Sequence, residues 1–435
     1  MGTIATVALV VLAISFMVFV TFFGRLPALR RTPIAWLHKL IWVHLPNAVT
    51  RLDTRLTGGR VTSSCTRFGT YIMYDRHPTV LIFFLVLLLG SEALYLPPAW
   101  PQLSPFTKIT GTLSILLPYL FLYLSAFTDP GSITPSNHHD EMARYPYDFS
   151  LFHPGASCST CLHLKPARSK HCSLCRRCVA RADHHCIFIN NCVGAGNHHY
   201  FLLLLLSTAI LTTYGGLLGI HLMTTQMRLR FPTWSLLPWR ANAGAGMSLT
   251  QWLIVWSWGM QVGGHPGSGS AVAMGAVTLL ALMTSPLVWG LLGYHVWLVY
   301  CGTTTNEAMK WADWQVEMDD GCAFKRRLEV AGRGREPGGD EPGWTRWPVE
   351  AEQVLVRTSD GRPPVEGREG ELPGTGEWEA VWRLRDVENL YDLGFWDNLV
   401  DLFVPGFMFR DPHVPVPEAR LKRRKKRRAR KIYLA

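Results

Sequence analysis

The stretch from Cys158 to Cys192 limits what this chain can fold into more than any other. It reads Cys158-Ser-Thr-Cys161, nine residues, His171-Cys172-Ser-Leu-Cys175-Arg-Arg-Cys178, four residues, Asp183-His184-His185-Cys186, five residues, Cys192. Seven of the ten cysteines lie here, so the segment folds around whatever its thiols bind. Paired Cys-x2-Cys hooks with histidines nearby suit tetrahedral Zn²⁺, which takes thiolate and imidazole donors. A disulfide cluster would use the same residues, but the topology derived below places the segment in the reducing cytosol, where disulfides are rare. Two four-coordinate sites need eight donors. Six cysteines with His171 and His185 supply eight, as two Cys3His sites, and one cysteine is left over. Asp183 and His184 precede Cys186, which makes it the candidate. An imidazole held by a carboxylate beside a thiol is the arrangement that yields a nucleophilic thiolate. Donor arithmetic alone does not choose which cysteine is spare.

The apolar runs set the rest of the architecture. Ile4 to Phe23 is about twenty residues without a charge, long enough to cross a bilayer as a helix. No basic residue precedes it and Arg25, Arg30 and Arg31 come after it, which favours an uncleaved anchor over a signal peptide. Further spans are expected at Thr79–Leu96, Gly111–Phe127, Tyr200–Leu222 and Ala271–Tyr300, the last kinked at Pro286. Gln251–Val262 is Trp-rich but short for a span and reads as interfacial or re-entrant. Basic residues crowd the loop between the first two spans and are sparse in the loops after the second and fourth. That asymmetry puts the amino terminus in the lumen and segments 24–78, 128–199 and 301–435 in the cytosol. The net charge of +11 is local, because Arg420 to Lys431 holds ten Lys or Arg and no acid. A general nucleic-acid-binding surface is therefore excluded.

The predicted fold is an all-α polytopic membrane protein with about five transmembrane helices and a small cytosolic cysteine-rich domain binding two zinc ions. Its parts are transmembrane helix 1 (1–23), a cytosolic basic loop (24–78), helices 2 and 3 (79–127) and the zinc domain (128–199). Helices 4 and 5 with a lumenal loop (200–300) come next, and then a Thr-Thr segment (301–324). After them stand a flexible insertion (325–380), a docking element (381–410) and the polybasic tail (411–435). Ile34–Leu45 has the composition of a helix lying along the cytosolic leaflet. The insertion is rich in Gly, Pro, Glu and Arg without a sustained hydrophobic period. Asn389–Phe403 shows apolar residues every three to four positions and reads as a short amphipathic helix.

The cysteine pattern resembles the cysteine-rich domain of the DHHC protein S-acyltransferases, whose spacing is met at every position. That resemblance implies a division of the donors and a set of roles. By it, Cys158, Cys161, His171 and Cys178 hold one zinc, and Cys172, Cys175, His185 and Cys192 the other. Cys186 takes the acyl group, His184 is the base and Asp183 orients it. Three short motifs extend the likeness: Asp129-Pro130-Gly131 after the third span, Thr304-Thr305-Asn306-Glu307 after the fifth, and Asn389, Tyr391, Gly394 and Asn398 in the carboxy-terminal element. Ile187-Phe188 stands where most of the family has Pro-Trp, a resemblance to the fungal endoplasmic-reticulum branch that acylates SNAREs.

The implied function is a protein-cysteine S-palmitoyltransferase. It would move a long-chain acyl group from acyl-CoA to cytosolic juxtamembrane cysteines through an acyl-enzyme on Cys186. A nucleophile at the membrane surface suits a donor with an insoluble tail and a charged head. Burying each CH2 contributes roughly 0.8 kcal/mol, so a sixteen-carbon tail binds well between spans. Lys165, Arg168 and Lys170 are expected to meet the CoA phosphates; a solvated basic face is the competing reading. His138-His139 and His198-His199 read as ordinary histidines. A RING-type zinc adaptor would need neither the spare cysteine beside Asp-His nor the later motifs. A scaffold that had lost the chemistry would not keep Asp183, His184 and Cys186.

Overall fold

The computed structural model describes residues 32–74, 77–232, 270–328, 344–365 and 372–409, with isolated positions at 16, 17, 20, 21, 236, 255 and 256. Apart from those positions, the expected span at Ile4–Phe23, the apolar segment 251–262 and the tail 411–435 lie outside the described residues. The chain divides into two units, residues 1–77 with 246–258, and 78–245 with 259–435.

The first unit contains helix α1 (Pro33–Lys39), which runs through a wider turn at Leu40–His44 into α2 (Leu45–Thr57). After a two-glycine turn comes α3 (Arg60–Tyr74). Pro33 opens α1, where the missing N–H costs nothing, whereas Pro46 of α2 follows the wider turn within the continuing helix.

Among its described residues, the second unit is built on four helices long and apolar enough to cross a membrane. They are α4 (Thr79–Ala99), α5 (Pro105–Phe127), α6 (His198–Arg230) and α7 (Ser270–Tyr300). These are the second to fifth spans expected from the sequence, each with its core where the apolar run lies. Ser104 caps α5, its Oγ accepting the Thr107 N–H at 3.2 Å. Helix α6 packs against α5 and α7, and α7 also against α4. Lipid tails are as apolar as the helices, so close approach and hydrogen bonds hold such a bundle together. Gly219 permits the approach of α6 to α7, since a Cβ there would overlap Thr278 Oγ1. Thr213 and Ser285 bond at 2.8 Å, and Trp289 Nε1 donates to Thr213 Oγ1 at 2.9 Å.

Between α5 and α6 the chain forms two small antiparallel hairpins, β1 (Lys170–Cys172) with β2 (Arg177–Val179), and β3 (His184–Cys186) with β4 (Asn191–Val193). After α7 come α8 (Thr305–Asp319) and then β5 (Ala323–Arg327), β6 (Gln353–Arg357) and β7 (Thr375–Ala380), with helix α9 (Phe395–Phe403) last.

Two expectations are corrected here. The segment 325–380, expected to be a flexible insertion, supplies most of a three-stranded antiparallel sheet in the order β6-β5-β7. Its strands are five or six residues long, too short to raise a hydrophobic period above their Gly, Pro and Glu surroundings. The sheet buries Phe324, Val354 and Leu355, while Arg326 stacks on Trp378 at 4.4 Å. The helix expected over Asn389–Phe403 begins only at Phe395. Gly394 has φ 100°, which no helix admits, and the residues before it form a turn in which Asn389 Oδ1 accepts the Tyr391 N–H at 3.1 Å.

Replacing Gly219 with Leu forces α6 from α7. Overpacking of this kind costs about 1–3 kcal/mol, so the thermal midpoint of the purified protein should drop by several degrees, as read by differential scanning fluorimetry in detergent. Ala at Gly290, where a Cβ meets nothing, should leave the midpoint unchanged.

Candidate active site and metal centres

Each small hairpin sets a histidine directly across from a cysteine, His171 opposite Cys178 and His185 opposite Cys192. The hooks then close around them. Cys158, Cys161 and Cys178 Sγ lie 3.5, 3.4 and 3.8 Å from His171 Nδ1. Cys172, Cys175 and Cys192 Sγ lie 3.7, 3.4 and 3.6 Å from His185 Nδ1. Tetrahedral zinc with ordinary bond lengths needs a sulfur–nitrogen edge of about 3.6 Å. Both donor sets therefore have the composition and spacing to hold a metal ion. The clusters interleave along the chain, since Cys172 and Cys175 of one lie between His171 and Cys178 of the other. An ion held by Cys172, Cys175, His185 and Cys192 would thus brace both hairpins, and one held by the other set would tie the first hairpin to the Cys158–Cys161 hook.

Cys186 belongs to neither set. It lies at the end of β3, buried in an apolar cluster with Leu122 and Ala126 of α5, Phe201 and Leu202 of α6, and Leu292 of α7. Beside it, Asp183 and His184 form a close pair, with His184 Nδ1–H donating to Asp183 Oδ2 at 2.6 Å. Burial pushes the His184 imidazole down, but the bond to Asp183 and the Cys186 thiol outweigh it and raise it to about 10. Burial would likewise lift the Asp183 carboxyl. The imidazoles of His198 and His184 and the bond to His184 hold it instead well below the usual carboxylate range. The arrangement can keep a protonated imidazole next to a thiol at neutral pH.

The Thr304-Thr305-Asn306-Glu307 motif supports Asp183 from α8. The Thr305 N–H and Oγ1 donate to the two Asp183 oxygens at 2.7 and 2.9 Å, and Thr304 Oγ1 donates to the Ala182 carbonyl at 3.1 Å. Thr304 and Glu307 also form a reciprocal capping box at the start of α8. Asp129-Pro130-Gly131 threads between the two hairpins, where the Pro130 and Gly131 carbonyls accept from Gly196 N–H, past β4, and Ala180 N–H, just past β2, at 3.1 and 2.8 Å. Asn389 and Asn398 donate their Nδ2–H to the Cys301 and Val299 carbonyls at the end of α7, both at 2.9 Å. Tyr391 is buried, its hydroxyl donating to the Pro146 carbonyl at 2.9 Å.

Of the three basic residues expected to meet phosphate, Arg168 is corrected. Only 1% of it is exposed. Its Nε and a terminal nitrogen bond both oxygens of Glu307 at 2.6 and 2.7 Å, and its guanidinium stacks on Tyr391 at 4.5 Å and Tyr145 at 5.0 Å. A guanidinium so enclosed cannot reach a ligand. Lys165 and Lys170 remain accessible and line one concavity with Lys310 of α8. Ser169 Oγ and Asn306 Nδ2, on residues that line the same concavity, are buried without a hydrogen-bond partner among the described residues.

Sequence reasoning missed two groups. His198, at the start of α6, and His295, near the end of α7, are buried and converge with Asp183 so that one ligand atom from each lies within 4.8 Å of the others. Nothing in the local sequence ties His295 to Asp183. Asp401 was also missed. It accepts from Tyr145 at 2.9 and 2.8 Å and pairs with Arg346 at 2.6 Å and Arg181 at 3.2 Å. An acid on the inner face of an amphipathic helix was the available signal. His138 proves structural, its Nε2 lying 2.8 Å from the Leu164 carbonyl.

Residues 152–312 match the DHHC palmitoyltransferase family. Over 437 residues the chain is 61% identical to palmitoyltransferase SWF1 of Neurospora crassa, covering 99% of this chain and 100% of that protein. It is 42% identical over 421 residues to palmitoyltransferase swf1 of Emericella nidulans, covering 93% of this chain and 97% of that protein. With palmitoyltransferase swf1 of Schizosaccharomyces pombe it shares 38% identity over 310 residues, 70% of this chain and 79% of that protein.

Arg168→Lys keeps the charge but loses the two-pronged pair with Glu307. Losing one of these charge-assisted bonds costs about 1.5–3 kcal/mol. Protein carrying it should melt well below wild type, while Lys165→Met, at an accessible site, should melt with wild type.

Proposed function

The chain belongs to the DHHC palmitoyltransferase family and is a membrane-bound protein S-palmitoyltransferase; from that premise we propose how its own residues divide the work. Cys186 is the nucleophile, His184 its base and Asp183 the group that orients and charges the imidazole. One observation carries this reading. Of the seven clustered cysteines, Cys186 alone stands outside both donor sets, and it lies in the apolar cluster shared by the spanning helices.

His184 holds the Cys186 proton, and the thiolate attacks the acyl-CoA carbonyl. The tetrahedral adduct collapses with loss of the CoA thiolate, which takes a proton from His184. An acceptor cysteine then gives up its proton to His184 and attacks the Cys186 thioester, and the chain leaves on the target protein. Two Zn²⁺ ions, held by Cys158, Cys161, His171 and Cys178 and by Cys172, Cys175, His185 and Cys192, would supply rigid closed centres and no open coordination position. Asp183 stays ionised throughout, because Thr305 and His184 donate to it.

Lys165 and Lys170 meet the CoA phosphates. Supporting this, they share a concavity with Lys310 and the unsatisfied Ser169 and Asn306. The acyl tail lies among the spans. An apolar cavity there is lined by Leu87, Leu88, Ile115, Leu211 and Leu280, and Phe84 borders both that cavity and the Cys186 cluster. The acceptors are cytosolic juxtamembrane cysteines of membrane proteins such as SNAREs, and the protein resides in the endoplasmic reticulum with its zinc domain and carboxy terminus cytosolic and its amino terminus lumenal. The Ile187-Phe188 pair and the loop charges support that placement.

Purified protein incubated with clickable palmitoyl-CoA should take up hydroxylamine-labile label, and Cys186→Ser should take up none while retaining two zinc per chain. Label that persists in Cys186→Ser overturns the assignment. Changing Lys165 and Lys170 together to Ala should raise the KM for palmitoyl-CoA about tenfold or more, as expected for losing two charge-assisted bonds, at unchanged zinc content. An unchanged KM removes them from the CoA site.

A further inference from the structure

The amino-terminal unit holds a helical hairpin whose apolar side chains are covered by nothing among its described residues. Along α2, Leu45, Val49, Leu52 and Leu56 recur at i, i+4, i+7 and i+11. At about 100° per residue they fall within about 40° of one line. All four are between 52% and 75% exposed. Helix α3 repeats the spacing with Val61, Cys65 and Phe68, again exposed. Upstream, Trp36, Leu40, Trp42 and Val43 are exposed as well. Among the described residues of α2 and α3, Asp53 is the only buried side chain. Helices of this length do not hold in water by propensity alone; they need a covered apolar face.

The charges indicate what covers it. Residues 32–74 carry Lys39, Arg51, Arg55, Arg60 and Arg67 against one acid, Asp53. That acid is committed internally. Its Oδ2 accepts the Thr62 N–H at 2.7 Å and Thr62 Oγ1 at 2.6 Å, while Thr57 Oγ1 donates to Oδ1. It thereby caps the first turn of α3 and closes the hairpin. The outward charge is purely basic. In both helices the arginines lie on the same flank of the apolar line, about 80–120° away from it. A helix lying in a lipid–water boundary has this distribution, with apolar residues among the acyl chains and guanidiniums at phosphate depth. Along the chain the hairpin is also bound to stay near a bilayer, since α3 ends at Tyr74 and the spanning helix α4 begins at Thr79.

We propose that residues 33–74 form a surface-lying foot that inserts its apolar stripes into a leaflet and binds the phosphates of anionic phospholipids through Arg51, Arg55, Arg60 and Arg67. The foot lengthens the leaflet-bound stretch beyond Ile34–Leu45 and is independent of the roles assigned to the catalytic residues.

The test is hydrogen–deuterium exchange on the full chain in lipid nanodiscs. Discs are made of phosphatidylcholine alone or with about 30% phosphatidylserine, and the hydroxylamine-labile acyl label on the same samples reports the intact catalytic unit. With each basic residue adding attraction to an anionic surface, amides of 45–57 and 60–71 should exchange at least about tenfold more slowly in the anionic discs. The quadruple change of Arg51, Arg55, Arg60 and Arg67 to Gln should erase that difference and keep the label. Leu52→Glu with Phe68→Glu should abolish protection in both lipids. Exchange that is equally fast with and without phosphatidylserine overturns the proposal. So does protection that tracks the number of protein copies per disc, because a second copy is then what covers the stripes.

Discussion

A helix that stops at a membrane face leaves its last carbonyls without partners, at a depth where water is scarce. In this protein side-chain amides from two distant stretches meet that need. Asn191 Nδ2 lies 3.3, 3.1 and 3.0 Å from the carbonyls of Ser125, Ala126 and Thr128 at the end of α5, and Asn197 Nδ2 donates to Ser125 at 3.0 Å. Asn389 and Asn398 do the same at the end of α7. Each such bond is worth about 1 kcal/mol net, but a buried carbonyl left bare costs more. The amides therefore fix where the zinc segment and the carboxy-terminal element must sit. Asn191 lies directly across the hairpin from Cys186, so the pairing that ends α5 also sets the thiol at the end of the bundle.

From those anchors a buried charge network ties the remaining parts together. Arg168 from the zinc segment pairs with Glu307 on α8, while Arg181, Arg346 and Tyr145 converge on Asp401 of α9. Burial would raise the Asp401 carboxyl, but Arg181, Arg346 and Arg168 hold it below the usual range. Networks of this kind add little over a well-packed apolar core, yet losing one member strands a charge in low dielectric. The elements around Asp183 are thus hard to separate one at a time. Glu307 caps α8, and the same turn presents Thr305 to Asp183, so the pair with Arg168 bears on the Asp183 carboxylate at one remove.

Local features were legible in the sequence. The cysteine and histidine donors crowd one short stretch of chain in paired hooks, and the four described spans arise from long, predominantly apolar runs. The motif Thr304–Glu307 was legible from its place directly after the last span, and the Thr-x-x-Glu spacing that starts α8 is a local signature. Features that depend on tertiary placement were not. Arg168 looks like its neighbours Lys165 and Lys170 in a basic loop, and only the fold turns it inward against Tyr391. Strands β5 to β7 hide in a Gly- and Glu-rich stretch because Phe324, Val354 and Leu355 become a core only when three distant segments pair. His295 reaches Asp183 from another helix far along the chain, a separation at which no spacing rule operates.

A thioester intermediate has one constant competitor, water, and the surroundings of Cys186 bear on that competition. On the proposed assignment the acyl-enzyme forms where Leu122, Ala126, Phe201, Leu202 and Leu292 close around the sulfur. Next to Cys186 in the chain, Ile187 and Phe188 are each 52% exposed. Phe188 is not loose, for its ring meets Phe84 edge-on at 6.2 Å. Phe84 in turn borders the apolar cavity between the spans. One aromatic contact therefore joins the residue pair that departs from the usual family pattern to the wall of the cavity where the chain would lie.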